Sequence, residues 1–314
     1  MAAGTNILVV RLGAMGDILH TLPAAASLKH SFPGAHLTWA VESRWRPLLE
    51  DNPFIDRIVE LRRGSLGGLL ETARELRSRR YDLAVDFQGL IKSALTAAMA
   101  RPGRLFGYHQ SQARERVAAI FYSNRVTVSA VHVVDRHLEL AYAAGAVHPL
   151  RVFPLPAGRA EAPLPEGDFV LASPLAGWGA KQWPLDSYRS LGELLRSRLG
   201  IPLVLDGPPG SGFDQYSSLA GLIHTTRRAA AVVGVDSGPL HLAAALGKPG
   251  VAIFGPTDPA RNGPYGGSLR VLRSPSAATT YKRGADTAGS MREITPEAVF
   301  ESLRAQLRVN SHAG

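Results

Sequence analysis

The chain has 314 residues, enough for two domains of ordinary size, with 45% hydrophobic and 19% charged residues. It contains no cysteine, which excludes a disulfide framework, a thiolate metal site and a catalytic thiol. The net charge of +9 favours an anionic partner such as a phosphorylated sugar, a nucleic acid or an acidic membrane surface, although general solubility also accounts for it. No apolar run reaches the ~18 residues of a membrane span and no signal peptide is evident, so we expect a cytosolic protein.

The first half of the chain alternates strands with helices, which is typical of a Rossmann-like parallel sheet. Apolar runs predict strands at residues 6–10, 36–41, 57–61, 81–87 and 103–108. Helical patterns cover residues 18–30, 69–80, 114–122 and 131–144, and a further helix opens at residues 88–90. Residues 148–167 carry five prolines and little periodicity, so they are predicted to be the linker between two domains.

The second half repeats this alternation. Strands are predicted at residues 169–172, 201–205, 232–235, 251–254 and 269–272. One helix runs from the region of Asp186 to Gly200, another covers residues 240–246, and Thr295 caps a final helix that begins at Pro296. Residues 274–290 read as a polar surface loop. We therefore predict an N-terminal domain over 1–155, a C-terminal domain over 165–295 and a terminal helix over 296–309.

The most informative stretch is the strand–helix–strand unit at residues 232–259. Asp236-Ser237-Gly238 breaks the first strand, Ser237 is a good helix N-cap, and Gly238 permits a close backbone approach. The free N–H groups and the dipole of a helix N-terminus suit a phosphate, and His241 lies on the first helical turn. The same pattern also fits an ordinary capped crossover helix.

Two more loops follow predicted strands. Asp17 ends a short glycine pattern after the first strand, where it can act as a general base or simply cap a helix. This pattern is not the dinucleotide fingerprint. Lys181 lies between two tryptophans and can meet a phosphate, although it can also be a solvated lysine. Two facing Rossmann-like domains bring these loops together across a cleft, which suits group transfer from a nucleotide-activated donor.

These residues match a known family. The chain resembles the bacterial lipopolysaccharide heptosyltransferases of glycosyltransferase family nine, and more closely those that add the first heptose. The resemblance runs from the first strand to the last helix and rests on the segments 13–23, 86–93, 113–115, 181–184, 235–241 and 255–259.

The resemblance implies two facing Rossmann-like domains of the GT-B type, with the active site in the cleft between them. It implies inverting transfer of L-glycero-D-manno-heptose from ADP-heptose to the Kdo of a lipid A acceptor, with no metal and no cofactor. Asp17 is then the base, and Lys181 assists the departing ADP. The implied donor-binding residues are Gly16, Lys181, Asp236, Ser237, Gly238 and His241. The implied acceptor-binding residues are Arg62, Arg63, Gln88, Lys92 and Arg114.

Residues 206–231 depart from the family pattern. The family usually has a helix, a short strand and another helix here, whereas we expect this chain to lack most of either helix. No match exists for the acidic residue that commonly holds the donor ribose. The expected consequences are a weakened adenosine site and apolar sheet surface left uncovered.

The preferred interpretation is therefore a cytoplasmic ADP-heptose transferase that makes transient contact with the inner membrane. Alternatives are heptosyltransferase II or another family member with a different acceptor, and a non-catalytic protein that binds nucleotide sugars or anionic lipids. Nucleic-acid binding is not favoured, because no zinc-finger spacing or RNP-type aromatic pattern occurs.

Overall fold

The computed structural model describes residues 4–62, 64–207, 210, 212–280, 282, 284 and 286–311, without the side chains of residues 215, 216 and 308–311. The chain divides into two compact units, Met1–Pro156 and Ala157–Gly314. None of the described helices combines the length and apolar character that crossing a bilayer requires.

The first unit is built on a six-stranded parallel sheet in the order β3-β2-β1-β4-β5-β6. Its strands are β1 Asn6–Val10, β2 His36–Glu42, β3 Arg57–Leu61, β4 Leu83–Asp86, β5 Arg104–Tyr108 and β6 Asn124–Val126. Its α-helices are α1 Met15–Ser31, α2 Leu66–Arg77, α3 Ile91–Met99 and α4 Val133–Ala143. Two 3-10 helices, Ser43–Leu48 and Arg116–Phe121, complete it.

Both faces of this sheet are covered. Leu8 and Val10 of β1 pack with residues of α2, α3 and the 3-10 helix Arg116–Phe121 in one core cluster. Ile7 and Val9 are also fully buried, and strand alternation turns them to the other face. Helices α1 and α4 pack against each other. Burial on both faces explains why β1 is a continuous apolar run rather than an alternating one.

The second unit contains a six-stranded parallel sheet in the order β12-β11-β10-β7-β8-β9. Its strands are β7 Val170–Ser173, β8 Leu203–Gly207, β9 Gln215–Tyr216, β10 Ala231–Val235, β11 Gly250–Phe254 and β12 Leu269–Arg273. Its helices are α5 Leu185–Leu199, α6 Leu219–Arg228, α7 Gly238–Ala245, α8 Pro259–Asn262, α9 Gly289–Arg292 and α10 Pro296–Ser311, with a 3-10 helix at Gly179–Lys181.

The two sheets have the same strand order. Counted from β7, the second sheet also runs third, second, first, fourth, fifth, sixth, so β7 corresponds to β1 and β10 corresponds to β4. The direction of winding reverses between the first and fourth strands of each sheet. Open α/β sheets bind their ligands at the carboxyl end of this switch point.

Most predicted elements are confirmed, including β1, β3 and the left-handed Gly200 that ends α5. Thr295 caps α10 as predicted, accepting the Ala298 N–H at 3.2 Å. Helix α1 begins at Met15 rather than residue 18. The helix predicted at 114–122 is only a short 3-10 helix, and the predicted 274–290 loop ends in α9.

The prediction for residues 206–231 is half right. No helix joins β8 to β9 among the described residues, but α6 is present with ten residues, so the expected loss of that helix is wrong. Ser218 supplies the missed start signal, because its hydroxyl accepts the Gly221 N–H at 3.3 Å. Glu161 in turn accepts the Ser218 N–H at 2.9 Å, which fixes the beginning of the helix.

Candidate active site

Asp17 lies in the first turn of α1, just beyond the carboxyl end of β1. Its Oδ1 is 2.7 Å from Arg11 Nη2, and its Oδ2 is 3.2 Å from Arg114 Nη1. Oδ2 also accepts the Ala14 N–H at 3.4 Å, so the carboxylate caps its own helix. The predicted helix-capping role is therefore present, and two guanidinium groups hold the same carboxylate in place.

The surroundings of Asp17 keep its carboxyl group ionised. Burial by itself raises the pKa, but the positive charges of Arg11 and Arg114 outweigh burial and hold the pKa below its ordinary value. About a quarter of the side chain remains exposed. Asp17 is consequently a negatively charged, partly accessible group whose orientation is fixed on both oxygens.

Arg11 is a site residue that the sequence interpretation missed. It is almost fully buried, and it donates from Nη1 to the carbonyl oxygen of Phe87 while Nη2 contacts Asp17. A buried arginine is costly unless it is paired, so its pairing with Asp17 is a strong structural constraint. The available signal was a charged residue placed directly after a continuous apolar strand.

The loop after β4 is held by a buried carboxylate. Asp86 accepts hydrogen bonds from Tyr122 Oη at 2.7 Å, Ser93 Oγ at 2.8 Å and the Gln88 N–H at 2.8 Å. Burial raises the pKa of Asp86 despite these bonds. Gly89 adopts a φ of +67°, and a Cβ there would lie 3.2 Å from the Arg114 nitrogen. This loop therefore needs glycine where it passes the segment carrying Arg114.

Gln88 connects this loop to the loop after β1. The side chain is buried, and its Oε1 accepts the Leu12 N–H at 2.8 Å. The sequence predicted that Gln88 binds the acceptor, whereas in the structure its amide oxygen accepts a backbone hydrogen bond. The geometry makes Gln88 a positioning residue for the two loops of the switch point.

The predicted acceptor-binding cations are paired with different carboxylates. Arg62 contacts Glu71 at 2.6 Å, Lys92 contacts Glu42 at 3.1 Å, and Arg114 contacts Asp17. More than half of each arginine side chain is exposed. Arg63 lies outside the described residues. An open groove of about 430 Å³ lies nearby, lined by Glu42, Ser43, Arg44, Leu61 and Gly64.

In the second unit, three predicted residues meet at the corresponding sheet edge. Lys181 Nζ lies 2.6 Å from Asp236 Oδ2, and His241 Nε2 lies 3.3 Å from Asp236 Oδ1. Burial by itself raises the pKa of Asp236, but hydrogen bonding to His241 and the charge of Lys181 hold it well below its ordinary range. Lys181 Nζ also lies 5.0 Å from the centre of the Trp178 ring, so this lysine is not simply solvated.

The start of α7 adds hydrogen-bond donors to this cluster. Ser237 occupies the predicted N-cap position, and its hydroxyl makes no capping bond. Within the described part of the chain, Ser237 Oγ and the buried Thr257 Oγ1 have no hydrogen-bond partner. Gly238 begins the helix and adds no side chain beside its own N–H group, whereas Pro239 after it has no N–H. This edge thus combines a cation, unused hydroxyls and a helix N-terminus, the donor set that an anion requires.

Gly16, the remaining predicted donor-binding residue, belongs to the first unit. It is the second residue of α1 and directly precedes Asp17. The predicted donor-binding set is therefore divided between the two sheets, with only Lys181, Asp236, Ser237, Gly238 and His241 at the second.

The chain is similar to proteins of one family throughout. The family model for glycosyltransferase family 9 (heptosyltransferase) matches residues 69–211 and 217–290. Lipopolysaccharide heptosyltransferase 1 of Pseudomonas aeruginosa is 30% identical over 298 residues, covering 84% of this chain and 82% of the relative. Its counterpart in Escherichia coli K12 is 29% identical over 299 residues, covering 86% and 94%. Lipopolysaccharide heptosyltransferase 2 of Salmonella typhimurium is 27% identical over 347 residues, covering 96% and 98%.

Solved structures give the same result. The E. coli heptosyltransferase WaaC with ADP is 26% identical, with a TM-score of 0.78 over 96% of this chain and 100% of that chain. The E. coli ADP-heptose lps heptosyltransferase II has a TM-score of 0.82 at 24% identity, and the match covers 98% of this chain and 100% of that chain. This second likeness is one of fold. The predicted fold class, two Rossmann-like α/β domains of the GT-B type, is confirmed. The chain is an enzyme that belongs to glycosyltransferase family 9 (heptosyltransferase).

Proposed function

We propose that this enzyme transfers L-glycero-D-manno-heptose from ADP-heptose to the Kdo of a lipid A-Kdo acceptor, with inversion at the anomeric carbon. The observation that carries the proposal is the cluster of Lys181, Asp236 and His241 at the start of α7. A sugar diphosphate donor needs a cation and oriented N–H groups at its diphosphate, and this sheet edge has both.

The C-terminal unit binds the donor in this proposal. Lys181 is held by Asp236 and presents its charge to the diphosphate, while Ser237 Oγ and the first N–H groups of α7 donate hydrogen bonds to phosphate oxygens. Negative charge grows on ADP as the glycosidic bond breaks, so donors fixed in advance stabilise the transition state more than the ground state. The similarity to an E. coli heptosyltransferase solved with ADP supports this assignment.

Asp17 is the base in this proposal. As the Kdo hydroxyl attacks, its proton passes to a carboxylate oxygen of Asp17, a bond forms between the hydroxyl oxygen and the anomeric carbon, and ADP leaves with the electron pair of the broken bond. Attack on the face opposite ADP inverts the anomeric carbon. The lowered pKa keeps Asp17 ready to accept a proton at neutral pH, and the pairing with Arg11 and Arg114 fixes its direction.

The N-terminal unit binds the acceptor. Positive charge for the carboxylate of Kdo and the phosphates of lipid A comes from Arg62, Arg63, Lys92 and Arg114. Gln88 holds the loop that leads into α3, the helix that carries Lys92. An acceptor in the cytoplasmic leaflet of the inner membrane places the enzyme in the cytoplasm, at that membrane surface.

Addition of the first heptose is favoured over addition of the second by degree of similarity. Relatives named heptosyltransferase 1 are 29–30% identical, whereas relatives named heptosyltransferase 2 are 26–27% identical. The second candidate is therefore heptosyltransferase II, whose acceptor already carries one heptose.

The test measures ADP release from ADP-heptose with no acceptor, with Kdo-lipid A, and with Kdo-lipid A that already carries one heptose. The proposal predicts fast release only with Kdo-lipid A. Release only with the heptosylated acceptor would instead establish the second candidate. Donor binding without release for either acceptor would contradict both.

A further inference from the structure

Two tryptophans flank Lys181 in the loop that follows β7, and the structure places them in different surroundings. Trp183 is fully buried in the core of the second unit and donates from Nε1 to the Ile294 carbonyl oxygen at 2.8 Å. Trp178 is only partly buried, and the Lys181 ammonium nitrogen lies over its ring, 5.0 Å from the ring centre. Core packing therefore accounts for Trp183, whereas Trp178 contacts a charged group at the edge of the sheet.

One 3-10 turn brings Trp178 and Lys181 together. The Lys181 N–H donates to the Trp178 carbonyl oxygen at 3.2 Å, and residues three positions apart lie on the same side of such a turn. The two intervening residues, a glycine and an alanine, have no side chain long enough to separate the ammonium group from the ring. The Ala180 N–H donates to the Gly284 carbonyl oxygen at 3.2 Å, and the Ala180 carbonyl oxygen accepts the Ala288 N–H at 3.4 Å. These bonds attach the turn to a later segment of the second unit.

Lys181 has two neighbours that act on its charge in different ways. Asp236 Oδ2 lies 2.6 Å from the ammonium nitrogen and is negatively charged, so it holds Lys181 but reduces the positive potential around it. The electron-rich face of the Trp178 ring also attracts the ammonium group, but the ring has no net charge. Trp178 therefore holds the cation without neutralising it.

The flexibility of a lysine side chain gives this second contact a function. The four-carbon stem has many rotamers, and ordering them when a ligand binds costs free energy. Only 15% of the Lys181 side chain is exposed, so its neighbours already restrict it before any ligand is present. A ring face has no single bonding direction, so the ammonium group can move from Asp236 towards a phosphate oxygen and still remain over the ring.

We propose that Trp178 is a positioning residue for Lys181, and that its ring holds the ammonium group ready for the diphosphate of the donor. This inference rests on the proposed role of Lys181 in donor binding, and it holds whichever acceptor the enzyme uses. The competing explanation is a ring that stacks directly on the adenine or the sugar of the donor. In that case the effect of the ring does not depend on Lys181.

The test is calorimetric titration with ADP. Trp178→Leu keeps an apolar side chain but loses the aromatic face, so ADP binding should weaken by about fivefold to thirtyfold, the range of a partly buried cation–π contact. Trp178→Phe keeps an aromatic face and should weaken binding by at most about threefold. Tyr142→Leu is the control, because it removes an exposed aromatic side chain from α4 of the first unit, and it should bind ADP like the wild type. Thermal melting checks that each variant is folded.

A double-mutant cycle separates positioning from direct contact. In a Lys181→Met background, Trp178→Leu should change ADP affinity by less than about twofold, because no ammonium group is left to hold. Displacement titrations measure the weakest variants. The inference is overturned if Trp178→Leu binds ADP like the wild type, or if it weakens binding equally with and without Lys181, which would mean that the ring contacts the ligand. Wild-type affinity of Lys181→Met itself would overturn the inference and the proposed donor site together, and the other outcomes leave the donor site standing.

Discussion

The two sheets share one strand order but place opposite charges at their switch points. After β1, the first sheet presents a carboxylate, Asp17, which cations from neighbouring segments hold in place. After β7, the second sheet presents a cation, Lys181, which a carboxylate from the end of β10 holds in place. The fold thus determines where a reactive group lies, and the residues at that place determine what the group can do.

The two sheets hold these charged groups in place in the same way. In both sheets, the group that follows the first strand has a partner of opposite sign that is at least as buried as itself: Arg11 for Asp17 and Asp236 for Lys181. Each pairing holds its group in place while leaving part of it accessible. Substitutions at one sheet should therefore change proton transfer, whereas those at the other should change donor binding.

The largest effect is expected for Asp17→Asn. Asparagine retains the shape of the side chain but cannot accept the proton, so kcat should fall by about 10²- to 10⁴-fold. Steady-state ADP release with Kdo-lipid A measures this. Asp82→Asn is the matched control, because Asp82 bonds the Asn6 N–H at the amino end of the same sheet. Turnover of Asp17→Asn close to that of the control would remove Asp17 as the base.

Lys181→Met should give the next largest effect. In the proposed function Lys181 stabilises the departing ADP, so loss of this cation should lower kcat by about 10²-fold and weaken ADP-heptose binding. Calorimetric titration of the donor and steady-state rates measure both effects. Lys248→Met is the control in the same unit, since Lys248 is partly buried beyond α7 and bonds the Ala229 carbonyl. Unchanged donor affinity in Lys181→Met would contradict its role.

Arg11→Met should alter the pH dependence of the reaction. Without this guanidinium, burial of Asp17 is opposed by fewer positive charges, so the pKa of Asp17 rises. The acidic limb of the kcat/KM profile should move to higher pH by about one unit or more. Arg11→Lys keeps the charge and should move the limb less. A lower rate with an unshifted limb would mean that Arg11 acts only on stability.

A smaller effect is expected for the stability of the first unit. His137 is buried between α4 and α1, and burial lowers its pKa from 6.5 to about 3. As the pH falls below 6.5, His137 therefore becomes protonated in the unfolded chain but stays neutral in the folded protein. Between that pH and the folded pKa, the free energy of unfolding decreases by up to about 1.4 kcal/mol for each pH unit. Urea unfolding of the wild type and His137→Gln at pH 7, 6 and 5 tests this. The variant should lose less stability than the wild type over that range, and equal losses would exclude His137 as the cause.

Elements with a strong local pattern could be predicted from the sequence. The apolar run of β1 and the Gly200 stop signal of α5 carry their own conformational preference, and both were located correctly. β6 was missed because an edge strand of Asn124, Arg125 and Val126 has no apolar run. The 3-10 helix Arg116–Phe121 was overestimated because its exposed Val117 and Ile120 stand on either side of the buried Ala118 and Ala119, a spacing that resembles a longer amphipathic helix.

The site residues also divide into those that have a local sequence signal and those that do not. Lys181, Asp236 and His241 were identified from loops that follow apolar strands, and the fold brings them together. Arg11 and the positioning role of Gln88 depend on contacts 76 positions apart in the chain, which only the pairing of β1 with β4 creates. Local spacing contains no information about such contacts.

The most direct test of the central claim, that the first unit accepts the proton and the second binds the donor, is to titrate ADP-heptose into Asp17→Asn and Lys181→Met in parallel and to measure acceptor-dependent ADP release from each. The account predicts that Asp17→Asn binds the donor like the wild type but does not release ADP, whereas Lys181→Met binds the donor weakly. Equal loss of donor affinity in both variants, or wild-type release by Asp17→Asn, would contradict it.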